Sequence, residues 1–330
     1  NACMSKLWRA ALSRLIRSMG LLAGAGALFA VAAHAETALR VGKAQAENFT
    51  FMPANVGIET GIFKKHGLSV QIVNFGGSGR LQQGLAANGI DIGLASGPEL
   101  AFVAKGAPVI GVAAMADAPY VANVVVLKDG PIETIGDLKG RLISVSTRGS
   151  LSEWLMRELA IRQGWGKDGI RTVGLGGMGA QVAAMKTRQT DGMNAEASTA
   201  FRLEDEGVGR IVVNFGTLIK DFHIHVMYAR REFLAKNPDA MREFLKGWFE
   251  TLDYMRGHRQ ETIAMASRAI DMPASTMGRV YDLLMPAFNT TGRFNPKALE
   301  TLGRSFVETG VLPAMPDMQS LVTEKFLPGS

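Results

Sequence analysis

The chain has 330 residues, 47% of them hydrophobic and 20% charged, a composition that suits a globular protein of one or two domains and not a disordered or fibrous one. Its formal charge of +6 is concentrated at one end: Lys6, Arg9, Arg14 and Arg17 fall in the first 35 residues, where there is no acid, and the rest carries 32 basic against 30 acidic residues. So balanced a chain cannot draw its binding energy from phosphate neutralisation, which excludes a nucleic acid as partner.

The first 35 residues read as a unit. Four positive charges precede the apolar run Met19–Ala33, and the small-x-small tripeptide Ala33–Ala35 follows. This is the pattern of a secretory signal peptide, with cleavage expected after Ala35 and a mature chain starting at Glu36. The run is shorter than the about 20 residues that a membrane helix needs. Cys3, the only cysteine, would leave with the signal. The mature chain then offers no disulfide, no cysteine nucleophile, no thiolate metal ligand and no cysteine for a lipid anchor.

From Leu39 onward β-rich runs alternate with helical stretches. Strands are expected at 39–44, 68–73, 91–96 and 108–115, with helices at 52–67, 79–89 and 98–106 between them. The same grammar restarts in the second half, with strands at 137–147, 170–177, 191–196 and 210–216 and helices at 150–164, 179–189 and 198–207. Such alternation implies βαβ units and mostly parallel sheets, here in two lobes. After about Arg231 the pattern becomes almost wholly helical, and the aromatics and methionines of 239–258 and 273–288 recur at core-facing spacing.

Two uninterrupted apolar runs, Val121–Leu127 and Ile224–Tyr228, sit where the chain would enter and leave the second lobe. Paired with each other they would form a hinge. Residues 36–122 then begin the first lobe, 123–222 form the second, and 223–330 return to complete the first, with a ligand held between them.

One turn stands out, "VSTRGSLSEWL" at Val145–Leu155, where a strand runs into a helix. Ser150 and Glu153 form a capping box, which by itself accounts for both. Arg148 is left over, a cation able to fork onto a carboxylate or sulfonate.

The phrases at Gly61–Ser96, Lys105–Ala114 and Ile132–Ser150, with "AAMKTRQTDGMNAE" at Ala183–Glu196, together resemble the periplasmic solute-binding proteins of nitrate/sulfonate/taurine ABC importers. The resemblance implies an α/β, two-lobed type II periplasmic-binding fold with a largely helical C-terminal tail. It also implies a monomeric receptor that takes a small solute to a membrane permease, without a cofactor. A pocket at strand carboxyl ends and helix N-termini is what open α/β sheets favour independently.

On this reading the first lobe contributes Gln45 and Asn48 from one turn, Gly77 and Ser78 from "FGGSG", and Ser96 from "ASGP". The second contributes Thr147, Arg148, Ser150, Met178 and Glu196, with His223 at the return crossover. Glu196 opposes an anionic solute unless it is paired, so the polarity of the solute stays open. "GLGGMG" at Gly174–Gly179 has dinucleotide-type spacing but lies too late in the chain for a Rossmann turn. "HIH" at 223–225 puts two histidines on one face if extended, without a nearby third metal ligand. Two rivals remain. One is an enzyme like the related thiamine-pyrimidine synthase of yeast, which the lack of cysteine opposes; the other is a periplasmic sensor for a membrane kinase.

Overall fold

The computed structural model describes residues 36–330, so the expected signal peptide lies outside the described residues. The first sheet contains β1 (Thr37–Lys43), β2 (Leu68–Asn74), β3 (Ile92–Ser96), β4 (Val109–Ala116) and β10 (His225–Arg230), in the order β2-β1-β3-β10-β4. The second contains β5 (Ala122–Leu127), β6 (Leu142–Val145), β7 (Arg171–Gly174), β8 (Gly192–Glu196) and β9 (Gly209–Asn214), in the order β7-β6-β8-β5-β9. Strands β3, β8 and β10 are buried at every position, and so is the edge strand β4, which Val322 of the tail bridges at Gly111, whereas the edge strands β2 and β7 are partly exposed.

The two apolar runs do not pair with each other. β5 lies antiparallel between β8 and β9, and β10 lies antiparallel between β3 and β4. Each run is buried on both faces and hydrogen-bonded along both edges in the middle of its own sheet. The connections between lobes are instead the short segments 117–121 and 215–224.

The helices between strands are α1 (Met52–Glu59), α2 (Ile62–Lys65), α3 (Ser78–Ala86) and α4 (Leu100–Ala104) in the first lobe. In the second they are α5 (Leu151–Arg162), α6 (Met178–Lys186) and α7 (Ala197–Asp205). The single helix expected over 52–67 is divided, because the backbone turns left-handed at Gly61, with φ 76°. The tail comprises α8 (Arg231–Lys236), α9 (Pro238–Gly257), α10 (Arg259–Ile270), α11 (Ala274–Leu284) and α12 (Pro296–Glu308).

The tail packs on the first lobe through an apolar seam in which Phe63 stacks on Phe244 at 5.0 Å, beside fully buried Trp248. Each such aromatic contributes roughly 1.5–3 kcal/mol through burial. The tail also reaches the second lobe. Trp154 Nε1 donates to Ser305 Oγ at 3.1 Å, and Thr276 Oγ1 donates to Asp205 Oδ2 at 2.8 Å.

Candidate functional site

The carboxyl ends of β1, β3, β6 and β8 and the first turns of α3, α5 and α6 converge on one enclosed space between the lobes. Gln45, Asn48, Ser78 and Ser96 face it from the first lobe, and Met178 and Glu196 from the second. Phe51, Ser146, Leu151, Ser152, Asn194 and His225 complete its polar and apolar walls. The free volume is about 20 Å³, room for roughly one water. The lobes are therefore shut on each other.

Two contacts show how closely they meet. Ser198 Oγ donates to the Glu47 carbonyl across the cleft at 2.8 Å. Gly77 has a backbone φ of 136°, and a Cβ there would stand 2.7 Å from Thr147 Oγ1. Only glycine permits both that conformation and that approach.

On the first-lobe wall, Asn48 Oδ1 accepts from the Thr50 amide at 2.9 Å, which turns its Nδ2 toward His225 Nε2, also at 2.9 Å. His225 Nε2 therefore accepts, and the ring proton sits on Nδ1. Nδ1 is buried and has no hydrogen-bond partner. Complete burial pushes the His225 pKa down to about 3, so the ring is neutral, and it packs edge-on against Phe51 at 5.0 Å. Beneath this wall, buried Lys43 holds the turn by donating to Asn55 Oδ1 at 2.9 Å and to the Ala46 carbonyl at 3.1 Å; burial lowers its pKa to about 8.

The opposite wall carries a chain of hydroxyls. Ser146 Oγ lies 3.0 Å from Ser152 Oγ, which also accepts from the Ser146 amide at 3.0 Å and, behind the wall, lies 2.9 Å from Ser150 Oγ. Beside it stands Glu196, whose Oε2 is buried without a partner. Burial, with a smaller contribution from nearby Glu47, pushes its pKa up to about 8, so it holds its proton at neutral pH. Both walls thus end in a buried polar atom whose hydrogen-bonding capacity is unmet, which costs about 1–3 kcal/mol apiece.

The remaining expected residues lie elsewhere. Gly77 and Thr147 form the seam where the lobes touch. Arg148 and Ser150 line a second cavity on the far side of the α5 turn, and Arg148 is exposed. The left-handed Gly149, with φ 73°, follows Arg148 directly in this turn. Ser150 caps α5 by accepting from the Glu153 amide at 3.4 Å, while Glu153 Oε2 accepts from the Gly149 amide at 2.7 Å.

His223 also points away from the cleft. It precedes β10, so strand alternation does not govern it: Nδ1 donates to Asp117 Oδ1 at 2.8 Å and Nε2 accepts from the Asn295 amide at 2.8 Å. It ties together the two interlobe connections and the tail. Gly97 makes room for this crossing, since a Cβ there would lie 1.9 Å from the His223 carbonyl oxygen. Among the described residues no group of three or more His, Cys, Asp or Glu side chains could hold a metal ion.

Comparison with known proteins agrees with this architecture. A family model described as NMT1/THI5 like matches residues 48–262, well over half of the chain, and the chain belongs to that family. YtlA, a binding protein of Bacillus subtilis (strain 168), is 25% identical over 249 residues, covering 72% of this chain and 73% of that one. Among solved structures, the alkanesulfonate-binding protein SsuA from Xanthomonas axonopodis pv. citri, bound to MOPS, superposes with a TM-score of 0.77 at 17% identity, covering 87% of this chain and 98% of its own. The periplasmic nitrate-binding protein NrtA from Synechocystis PCC 6803 gives 0.68 at 15% identity, covering 86% and 84%. The fold is thus the two-lobed, type II periplasmic-binding fold.

Proposed function

We propose that this protein is an extracytoplasmic receptor that closes its two lobes around a small polar solute and presents it to an ABC permease. The observation that carries the reading is the enclosed interlobe space, into which His225 Nδ1–H and the Glu196 carboxyl bring hydrogen-bonding capacity that no protein group meets. A solute with one acceptor and one polar group complementary to a carboxyl would meet both and link the first lobe to the second, with the lobes parted further than here, where the space holds roughly one water. The family membership and the sulfonate- and nitrate-binding neighbours support a binding role and a periplasmic setting.

The residues facing the space include no lysine or arginine. That favours a neutral or amine-bearing solute over a bare sulfonate or nitrate, because a desolvated anion beside a carboxyl needs a cation to offset it. Binding is favoured over catalysis for a geometric reason. His225 Nε2 is taken by Asn48, so no serine of the opposite wall shares a proton with it. The segments 117–121 and 215–224 are the hinge in this reading, with His223 as its pin.

A thermal-shift screen of the chain from Glu36 onward, against amines, pyrimidines, amides, carboxylates, sulfonates and nitrate, tests the proposal. A ligand present at 100 times its Kd adds about 2.7 kcal/mol to stability. The expected hit is a neutral or amino compound whose shift disappears in Glu196→Leu. Flat responses from every class, with no native ligand retained in mass spectrometry, would overturn the receptor reading.

A further inference from the structure

The second cavity lies between α4, the α12 region and the start of α5, so it too is bounded by both lobes, yet no residue lines both it and the interlobe space. Its volume is about 240 Å³. An apolar cavity of roughly 150 Å³ already accommodates benzene, so a substituted or fused ring fits. The floor is apolar, formed by Pro98, Ala101, Phe102, Trp154, Phe306 and Val311. Trp154 is held in place by stacking on Phe222 at 4.6 Å and by its bond to Ser305.

Three cations, Lys105, Arg148 and Arg157, stand around this floor, against the single carboxylate of Glu153. That carboxylate is already committed, to the Gly149 amide at 2.7 Å and to Arg157 Nη2 at 3.4 Å. Arg157 also donates to the Thr309 carbonyl at 3.1 Å. Lys105 and Arg148 have no carboxylate within ion-pair distance among the described residues, whereas Arg157 pairs with Glu153 at 3.4 Å. An aromatic floor with two uncommitted cations at its rim is complementary to a molecule that is apolar at one end and anionic at the other.

We infer that this cavity is a second binding site, for an amphipathic monoanion such as an aromatic carboxylate or sulfonate, its ring on Phe102 and Trp154 and its head group between Arg148 and Lys105. Because α4 and α12 belong to the first lobe and α5 to the second, an occupant clamps the lobes in their closed arrangement. The walls of the two sites are joined by the Ser150–Ser152 turn, whose hydroxyls are hydrogen-bonded to each other.

Isothermal titration of the chain from Glu36 onward with naphthalene-2-sulfonate, and with the neutral naphthalene-2-sulfonamide, tests this assignment. The sulfonate is expected to bind, to lose about ten-fold in affinity in Arg148→Glu, a change of about 1.4 kcal/mol, and to be unaffected by Glu196→Gln. Val311→Trp, which fills the cavity from a half-buried position, should abolish binding with the circular dichroism spectrum unchanged. The sulfonamide should bind about ten-fold more weakly than the sulfonate. Absence of sulfonate binding, equal affinity for the two compounds, or loss of binding in Glu196→Gln with Arg148→Glu unaffected would each overturn the assignment. The last result would place the probe in the interlobe space instead.

Discussion

Residues 78–99 of the first lobe and 178–199 of the second run in step, a hundred positions apart: α3 at Ser78–Ala86 answers α6 at Met178–Lys186, and β3 at Ile92–Ser96 answers β8 at Gly192–Glu196. In both lobes the helix ends in a non-glycine left-handed residue, Asn88 or Arg188, each with φ 60°. In both, an aspartate at the strand entrance accepts a neighbouring strand's amide, Asp91 from Arg40 at 2.9 Å and Asp191 from Leu142 at 2.8 Å. The acids at the cleft break the match. The first lobe has Ser96 and Glu99 where the second has Glu196 and Thr199. Glu99 is wrapped by its own lobe, accepting from Gln82 and from the Ser96 amide, whereas Glu196 Oε2 meets no protein donor. One scaffold thus holds two buried carboxyls, one bonded within its own lobe and one whose Oε2 has no protein partner.

The largest effect should come from breaking the first of these. Glu99→Leu removes the acceptor that serves Gln82 and Ser96 in a fully buried place, and is expected to cost about 3 kcal/mol, from two stranded donors at about 1–3 kcal/mol each. Glu196→Leu, which strands no donor, should cost far less. Equal losses in chemical denaturation of the two variants would refute the division of roles.

The pH dependence should separate them further. Folding raises the Glu196 pKa from an ordinary 4.5 to about 8, so between those values the native chain keeps a proton that the unfolded chain releases. Stability tied to this group therefore falls as pH rises through that window, by up to about 1.4 kcal/mol per unit. Glu196→Gln should consequently gain on the wild type by about 2 kcal/mol between pH 6 and pH 8. A constant difference in denaturation midpoint across that range would show that the carboxyl is not protonated in the folded protein.

A smaller effect is expected on the wall that faces Glu196. Asn48→Ala leaves His225 Nε2 without its donor and the Thr50 amide without its cap, at about 1.5 kcal/mol. In a nitrogen-15 NMR spectrum the His225 ring should then show a mixture of tautomers, where the wild type shows the Nδ1–H form alone. The smallest concerns the left-handed pair. Arg188→Gly should stabilise by about 0.5 kcal/mol, because a Cβ is strained there and the lost pair with Asp129, at 3.0 Å, is solvent-exposed, while Asn88→Gly should be neutral or worse, since asparagine tolerates the conformation and Asn88 Oδ1 accepts from Arg40 at 3.0 Å. Thermal midpoints of both variants decide it.

Much of this was legible before any coordinates. The alternation of runs placed the strands and most helices, and the turns at strand carboxyl ends pointed to Gln45, Asn48, Ser78, Ser96, Met178 and Glu196, which the structure brings around one space. His225, for which the sequence suggested no role, lines the space, whereas His223 bonds to Asp117 and the Asn295 amide. The only signal separating them was that the strand starts at 225, so that the earlier histidine belongs to the connection and not to the sheet. Ser146, Ser152 and Asn194 carried no signal beyond their places near strand ends and a helix start.

Sequence by itself determined what is local. Runs of apolar residues set the buried strands, and turns and caps set the helix starts. Tertiary structure decided what depends on distant segments meeting. Asn48 and His225 are hydrogen-bonded across 177 positions of chain, and that contact alone fixes which ring nitrogen carries the proton. The direction of Arg148 was decided in the same way. The left-handed turn at Gly149 and the capping of α5 carry its guanidinium out of the interlobe space and onto the rim of a second cavity, one bounded by helices that the sequence places some 50 residues before it and 150 after.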